Sequence, residues 1–450
     1  MMRLGEAAAA LAARASGADA LFTGVSTDSR SIKEGDLFVA LRGERFDGHD
    51  FLAAAAAAKA GAAMVDSNYR GQYPLPALVV DDTRRALGDL ARYWRARFAP
   101  ALLAVTGSNG KTTVKEMLAA VLRCEAEGKA LGEAAVLPTR GNLNNDIGLP
   151  LTLLGLRHAH RWCAIELGMN HRGEIAYLAG IARPTVALVN NAQREHLEFM
   201  RSVEEVAAEN ASVYDALPED GVAVINSDDA HAALFRRGAG KRRAVEFGLG
   251  GGAVTGRYRL GSLSSELVLR TPAGEGEATL AIPGLHNVRN ALAAAACAFA
   301  AGIEVTTIAQ GLSAFRPYAG RLQVKRAARG ATVIDDSYNA NPDSVRAAID
   351  VLASCPAPTA LVLGDMGEVG EHGAEFHREV GEYARAKGVS QLLAMGEATR
   401  DTVEAFGSGA RHFESVEELV SSVRATTVLV KGSRFMKMER VVAALTKEGH

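Results

Sequence analysis

The pattern of apolar and polar positions changes twice along the chain and predicts three regions. In residues 1–83, Ala-rich helical stretches alternate with short apolar runs. From 84 to 316, apolar strands such as 101–106 and 162–166 are each followed by a polar turn and helical spacing. From 317 to 450, strands and helices alternate regularly, as in a doubly wound, Rossmann-like domain. We therefore predict an α/β protein of three domains (1–83, 84–316 and 317–450), with parallel sheets in the last two.

Two segments depart from this alternation. Residues 242–282 form short alternating runs separated by glycines, a pattern that predicts antiparallel hairpins before a helix at 286–301. The apolar run at the N-terminus is broken by Arg3, Glu6 and Arg14. This spacing predicts an amphipathic helix rather than a signal peptide.

Composition and charge exclude several classes of protein. The formal net charge of −2 lacks the excess of positive charge typical of nucleic-acid binding. The longest Ala-rich stretch, 291–301, is shorter than the ~20 residues that span a bilayer. The four cysteines have no metal-ligand spacing and predict free thiols in a reducing compartment. We expect a cytoplasmic protein with no integral membrane association and, because no long apolar stripe stands out, a monomer.

A glycine-containing loop after strand 101–106 is the sharpest local signal. It runs Gly107-Ser-Asn-Gly110-Lys111-Thr112-Thr113 and is followed by helical spacing from Lys111. Glycines allow the tight turn, a helix N-terminus attracts anions, and Lys111 can reach the outer phosphates of a nucleotide. The spacing differs from GxxxxGK[ST], because position 105 is valine. An ordinary glycine turn with a chance lysine is the alternative.

Two further residues predict a metal site beside this loop. Glu166 ends one predicted strand, and His196 follows the next, 185–190. The carboxyl ends of parallel strands share one edge of a sheet. A surface carboxylate and a core histidine are the structural alternatives. Together with the hydroxyl of Thr112, the two side chains predict ligands for Mg²⁺.

Several segments together resemble the Mur ligases of bacterial cell-wall synthesis. They are the loop 106–113, TRGNLNNDIGLP at 139–150, ELGM at 166–169, GLHNVRN at 284–290, DDSYNANP at 335–342, GDMGE at 364–368 and KGSR at 431–434. The resemblance covers nearly the whole chain, beginning with STDSR at 26–30. It implies a domain for the UDP-sugar, a central ATPase-like domain, and a Rossmann-like domain that closes over ATP.

The resemblance also implies a reaction. ATP would phosphorylate the C-terminal carboxylate of UDP-N-acetylmuramoyl-tripeptide, and D-alanyl-D-alanine would attack the acyl phosphate. The SYNANP and KGSR segments favour this dipeptide-adding step. The alternative is another ligase of the same architecture, either amino-acid-adding or folylpolyglutamate synthase-like. Two other classes, a regulatory or transport ATPase and an inactive binding protein, remain open.

Roles for individual residues follow from the resemblance alone. Lys111, Glu166 and His196 are implied as catalytic, and Thr112, Glu166 and His196 as ligands of two Mg²⁺ ions. ATP contacts are implied for Gly107, Ser108, Asn109, Gly110, Lys111, Thr112, Thr113, Asn287, Asn290, Arg321, Asp336, Tyr338 and Asn339. Substrate contacts are implied for Thr27, Asp28, Ser29, Arg30, Asn142, Asn144 and Asn145.

The chain departs from the family at one position. Many Mur ligases carry a carbamylated lysine in the helix after the metal-binding histidine, and Asn210 stands at that place here. We therefore expect no carbamate at the second Mg²⁺. Asn210, or Glu209 beside it, is expected to act in its place through a water molecule.

Overall fold

The structure is a computed structural model that describes residues 1–44, 46–327 and 330–447. Within these ranges, no helix is both long enough and apolar enough to cross a membrane.

The N-terminal domain is built around a mixed sheet with strand order β2-β9-β8-β5-β4, in which β2 is antiparallel to β9 and the other pairs are parallel. Separate antiparallel pairs join β1 to β3 and β6 to β7. The elements are β1 (Met2–Arg3), α1 (Leu4–Ala10), β2 (Arg14–Ser16), β3 (Leu21–Phe22), β4 (Gly24–Ser26), β5 (Asp36–Val39), β6 (Arg42–Gly43), β7 (Phe46–Asp47), α2 (Leu52–Ala57), β8 (Ala62–Asp66), β9 (Ala77–Val80) and α3 (Thr83–Arg95).

The central domain has a parallel sheet with strand order β11-β12-β10-β13-β14-β15 and an antiparallel sheet β16-β17-β18. Its elements are β10 (Ala101–Thr106), α4 (Lys111–Gly128), β11 (Val136–Pro138), α5 (Gly148–Leu154), β12 (Trp162–Glu166), α6 (Glu174–Ala182), β13 (Val186–Val189), α7 (Val203–Ala211), β14 (Val222–Asn226), α8 (Ala232–Ala239), β15 (Arg243–Phe247), β16 (Thr255–Leu260), β17 (Ser265–Thr271), β18 (Gly274–Leu280), α9 (Leu285–Ala300) and α10 (Val305–Ala314).

The C-terminal domain has a sheet with strand order β19-β20-β24-β21-β22-β23, parallel except for β19. Its elements are β19 (Gln323–Arg326), β20 (Thr332–Asp336), α11 (Pro342–Ala353), β21 (Thr359–Gly364), α12 (Gly373–Ala386), β22 (Gln391–Met395), α13 (Thr399–Phe406), β23 (Ala410–Phe413), α14 (Val416–Ser422), β24 (Thr427–Lys431) and α15 (Glu439–Thr446).

Strand β10 is covered on both faces, which explains its continuous apolar sequence. Leu103 and Val105 pack into the core formed with α4 and α9, whereas Leu102 and Ala104 pack into the core formed with α3. Successive side chains of a strand point to opposite faces, so a strand buried on both sides is apolar throughout. β10 pairs with both β12 and β13, and this brings the ends of the three strands together.

Two expectations about individual elements were wrong. The hairpin region was placed from 242, but β15 at Arg243–Phe247 is the parallel edge strand of the central sheet, and the antiparallel sheet begins only at Thr255. The N-terminal helix stops at Ala10, and Arg14–Ser16 forms an edge strand beside β9. In both segments pairing with a distant strand overrides the local pattern.

Candidate active site

A cleft of about 1130 Å³ lies between the central and C-terminal domains and reaches α3. It gathers most of the predicted residues from distant parts of the chain. Those that line it are Ser108, Asn109, Gly110, Lys111, Thr112, Thr113, Asn142, Asn144, Asn145, Glu166, His196, Arg321, Tyr338 and Asn339.

The glycine loop connects the end of β10 to the start of α4. Gly107 has φ +126° and Gly110 has φ +82°, conformations that favour glycine. The backbone N–H groups of Ser108 and Asn109 donate to Asn191 at 3.0 and 2.8 Å, so these two amides anchor the loop. The backbone N–H groups in the first turn of a helix have no acceptor within that helix, so the first turn of α4 is a candidate site for an anion.

Lys111 is held in the cleft by the loop and by one carboxylate. Its Nζ donates to the carbonyl oxygens of Gly107 at 2.6 Å and Ser108 at 2.9 Å, and it lies 3.2 Å from Glu195 Oε2. Burial opposes ionisation of Glu195, but Lys111 and His196 hold its pKa below the usual range. The structure thus places a partly buried ion pair where the sequence predicted a phosphate-binding lysine.

Glu166 ends β12 and is 2% exposed. Its Oε1 accepts a hydrogen bond from Asn144 Nδ2 at 2.8 Å, whereas its Oε2 is buried and has no hydrogen-bond partner among the described residues. A buried carboxylate oxygen without a partner is costly, which makes it a candidate to bind a cation or another group. Thr112 lines the same cleft.

His196 lies in the loop after β13 and has a left-handed backbone, with φ +54°. Its Nδ1 is 2.6 Å from Glu368 Oε2 of the C-terminal domain, and its Nε2 is 3.5 Å from Glu195 Oε1. Burial alone would lower the pKa of His196, but the two carboxylates outweigh it and raise the pKa to about 9. The imidazole is therefore protonated at neutral pH in this arrangement, and it must lose a proton before it can bind a metal.

The C-terminal domain contributes an aromatic and cationic wall. The guanidinium of Arg321 lies 4.2 Å from the centre of the Tyr338 ring, and that of Arg434 lies 5.6 Å from it. Asp336 does not line the cleft, because its carboxylate accepts a hydrogen bond from Lys431 Nζ at 2.6 Å. Lys431 also donates to the carbonyl of Asn339 at 2.9 Å, and this fixes the segment that lines the cleft.

The two predicted asparagines of α9 lie beneath the loop rather than in the cleft. Asn290 Nδ2 donates to Asn287 Oδ1 at 3.0 Å, and Asn290 Oδ1 accepts from Asn190 Nδ2 at 3.0 Å. Burial lowers the pKa of His286 to about 4, so its imidazole is neutral and Nε2 can accept from Asn287 Nδ2 at 3.0 Å. In this structure the asparagines support the loop, and their direct contact with a nucleotide stays a prediction.

The segment Thr27, Asp28, Ser29 and Arg30 lies in the N-terminal domain and does not line the cleft. Arg30 donates to Asp28 at 2.9 and 2.7 Å and lowers the pKa of this carboxyl to about 2. Among the asparagines expected to bind substrate, Asn145 uses its Oδ1 to accept from the backbone N–H of Gly148, the first residue of α5, at 2.9 Å. Its side chain nevertheless lines the cleft.

The expected role of Asn210 and Glu209 needs correction. Asn210 is 1% exposed, and its Oδ1 accepts from Thr106 Oγ1 at 2.6 Å. Glu209 accepts from the backbone N–H groups of Gly173 and Ile175, both at 2.9 Å. Neither residue lines the cleft, because each side chain is already used to join neighbouring elements.

Sequence reasoning missed several residues of the site. Glu195, Asn341, Glu368 and Lys431 line the cleft, and Glu195 pairs with Lys111. Asn341, Glu368 and Lys431 stand inside quoted motifs, so the motifs themselves could have indicated them. Glu195 immediately precedes His196, but nothing in its sequence context separates it from a surface carboxylate.

The donors present fit Mg²⁺ at Glu166 and Thr112. The unpartnered Oε2 of Glu166 is the observation that supports this, since Mg²⁺ prefers oxygen ligands. Within the described ranges, no group of three or more His, Cys, Asp and Glu side chains could hold a metal ion. Protein side chains would therefore supply only part of the coordination shell, as is usual for Mg²⁺ bound with phosphates.

Comparison with known proteins agrees with this geometry. Three family models match the chain: "Mur ligase family, catalytic domain" at 21–95, "Mur ligase middle domain" at 105–298 and "Mur ligase, glutamate ligase domain" at 320–434. The chain belongs to the Mur ligase family.

Relatives from one group within that family match the chain over nearly its full length. The chain is 40% identical over 444 residues to the UDP-N-acetylmuramoyl-tripeptide--D-alanyl-D-alanine ligase of Escherichia coli strain K12, covering 96% of each protein. It matches the crystal structure of MurF from Acinetobacter baumannii with a TM-score of 0.91 and 34% identity, covering 99% of this chain and 98% of that one. It also matches MurF ligase from Thermotoga maritima in complex with ADP, with a TM-score of 0.81 and 26% identity, covering 95% and 98%.

Proposed function

We propose that this protein is an ATP-dependent ligase that joins D-alanyl-D-alanine to UDP-N-acetylmuramoyl-tripeptide during peptidoglycan precursor synthesis. The single observation that carries the proposal is similarity over 96% of the chain to a relative of that name. The alternative, another Mur-type or folylpolyglutamate synthase-like ligase, is not favoured, since such structures match at only 15–18% identity. We further propose the domain boundaries 83/84 and 316/317, action in the cytoplasm and a monomeric state.

The cleft supports a reaction through an acyl phosphate. A carboxylate oxygen of the tripeptide attacks the γ-phosphorus of ATP, and ADP leaves. The neutral amino group of D-alanyl-D-alanine then attacks the acyl carbon and the new amide forms. Inorganic phosphate departs with the bonding electrons and takes up the proton that the amine loses. Two anions meet in the first step, so positive charge at the transferred phosphate is the main requirement.

Residues of this chain supply that charge and orient the reactants. When ATP binds, Lys111 leaves Glu195 and pairs with the outer phosphates instead. The N-terminus of α4 faces the same phosphates. Arg321, Tyr338 and Asn339 contact the nucleotide from the C-terminal domain, while Asn142, Asn144 and Asn145 face the substrate. Asn287, Asn290 and Asp336 support these surfaces.

Mg²⁺ would be held by Thr112 and Glu166, with His196 holding a second ion after losing its proton. When bound, the ions neutralise phosphate and carboxylate charge. Glu195 and Glu368 already bring negative charge to His196, so we propose that activity requires no carbamate. Thr27, Asp28, Ser29 and Arg30 are proposed to contact the uridine diphosphate.

Phosphate release tests the proposal directly. Purified protein is given ATP, Mg²⁺ and UDP-N-acetylmuramoyl-tripeptides ending in either diaminopimelate or lysine, with and without D-alanyl-D-alanine. Phosphate and the ligated product should appear together, and only when both acceptor and dipeptide are present. Equal phosphate release without any carboxylate acceptor would instead indicate an ATPase.

A further inference from the structure

One loop of the central domain is fastened to the C-terminal domain by an arginine. Arg194 lies between β13 and α7, two residues before His196. Its guanidinium is 2.6 Å from Asp343 Oδ1 and 2.7 Å from Glu379 Oε2, and its backbone N–H donates to Asp343 Oδ2 at 3.0 Å. The same guanidinium lies 5.0 Å from the centre of the Phe376 ring. Asp343 belongs to α11, and Phe376 and Glu379 belong to α12.

We name this cluster the clasp; it consists of Arg194, Asp343, Glu379 and Arg346. Its two positive and two negative charges cancel. Arg346 completes it with a 2.5 Å contact to Glu379 Oε1. The side chains of Arg194, Asp343 and Glu379 are 23%, 24% and 29% exposed. Such partial burial reduces screening by salt, and a bidentate arginine pair has a defined geometry. Removing one member would leave its partners as poorly solvated charges.

The clasp connects directly to the parts of the cleft that bind phosphate. Asp343 lies in the first turn of α11, whose N-cap residue is Asn341. Asn341 Nδ2 donates to Asn109 Oδ1 of the glycine loop at 2.9 Å. On the other side, the loop that carries Arg194 also carries Glu195 and His196, which contact Lys111 and Glu368. Arg194 therefore links two segments that line the cleft, one from the central domain and one from the C-terminal domain.

We propose that Arg194 is a positioning residue, which holds the C-terminal domain against the glycine loop in the conformation that carries out ligation. It touches neither the nucleotide nor the acceptor; it acts through α11 and α12. The inference rests on the proposed function for its kinetic consequences, but the interdomain contact itself can be tested without ligation.

The test compares four variants with the wild type. Arg194→Ala removes the clasp, and Arg194→Lys keeps the charge but cannot bind two carboxylates in a fixed fork. Glu379→Gln removes one partner's charge with little change of shape. Arg236→Ala is the control, because Arg236 makes a bidentate pair with Glu246 inside the central domain. The melting temperature of each variant is measured first.

Two measurements then distinguish a change in the position of the C-terminal domain from a general loss of folded protein. Small-angle scattering with Mg²⁺ and β,γ-imido-ATP should give a larger radius of gyration for Arg194→Ala and Glu379→Gln than for Arg236→Ala. Their kcat/KM for ATP should fall at least tenfold, and that of Arg194→Lys about threefold. The affinity for UDP-N-acetylmuramoyl-tripeptide without nucleotide should stay within twofold of the wild type.

Several results would overturn the proposal. One is that Arg194→Ala scatters and turns over like Arg236→Ala. Another is that it loses affinity for the UDP-linked substrate as strongly as for ATP. If Arg194→Ala does not fold, Glu379→Gln decides, and wild-type behaviour of that variant contradicts the clasp. If the wild type does not ligate at all, the proposed function fails, while the scattering comparison still decides the role of Arg194.

Discussion

At the scale of single residues, Lys111 brings positive charge to the cleft where phosphates are proposed to bind. We expect Lys111→Ala to reduce kcat at least tenfold, which corresponds to an activation barrier higher by at least about 1.4 kcal/mol. The control is Lys129→Ala, since Lys129 pairs with Glu125 at the far end of α4. A Lys111→Ala enzyme that folds and retains more than a tenth of wild-type kcat would contradict the assigned role.

His196→Ala should impair acceptor phosphorylation more than ATP binding. Thr112, Glu166 and Lys111 remain to hold the nucleotide, whereas His196 is proposed to act between the γ-phosphate and the acceptor. Calorimetric binding of β,γ-imido-ATP and single-turnover acyl phosphate formation measure the two effects. The exposed His372, which pairs with Glu375, offers a control variant, His372→Ala. Equal losses of nucleotide affinity and turnover would count against this division.

The thiols give a prediction that depends on burial. Burial raises the pKa of Cys163 to about 12 and also raises that of Cys297, so thiolate is scarce in both at pH 8. Cys124 is partly exposed. Iodoacetamide at pH 8 should label Cys124 first in the native protein and all four cysteines after denaturation, as peptide mass spectrometry would report. Native labelling of Cys163 at the rate of Cys124 would contradict the described packing.

Asn210 shows where residue-level prediction from sequence ends. The alignment of the motifs placed Asn210 in the helix after His196, as the structure does. It could not show that the amide oxygen of Asn210 accepts a hydrogen bond from the hydroxyl of Thr106. Lys111, Glu166 and His196 could be predicted because their types and positions after strands carry a chemical meaning, and all three line the cleft. Arg194 and Glu195 were missed because their partners are distant in sequence and ion pairs leave no local pattern.

At the scale of elements, the turn between β10 and α4 depends on Gly110. A Cβ there would lie 2.3 Å from Asn290 Oδ1 and 2.8 Å from Asn190 Nδ2, and φ is +82°. Gly110→Ala should therefore cost about 1–3 kcal/mol from backbone strain alone and displace the asparagines that support the loop. We expect a lower melting temperature and at least tenfold weaker binding of β,γ-imido-ATP.

The matched control lies at the other end of the same helix. A Cβ at Gly128 meets nothing within 4 Å, and alanine favours a helix over glycine by about 1 kcal/mol. Gly128→Ala should thus leave nucleotide binding unchanged and raise the melting temperature slightly. If Gly110→Ala binds the nucleotide within twofold of Gly128→Ala, the proposed role of the loop is wrong.

Strands were predicted correctly where a buried apolar run is followed by a polar turn and then by a helix. Ala101–Thr106 and Trp162–Glu166 were predicted with the bounds that the structure has. It failed at Arg243–Phe247, whose parallel partner β14 cannot be recognised from a local alternating pattern. Strands are stabilised by neighbours across the sheet, so edge strands are the hardest to assign from sequence.

At the scale of the whole molecule, the distribution of exposed apolar side chains predicts a monomer. The large exposed ones are spread over all three domains, from Phe46 and Phe51 through Leu131 and Tyr258 to Phe435. Stable dimers need a contiguous patch, typically about 800 Å² on each partner. Weak dimers have dissociation constants in the micromolar range, so sedimentation equilibrium is measured from about 1 to about 50 μM protein. It should give the chain mass of 47.3 kDa at every concentration. Phe435 lines the cleft, and the open cleft accounts for its exposure. A mass that rises towards twice this value with concentration would show that one of the other exposed side chains marks an interface.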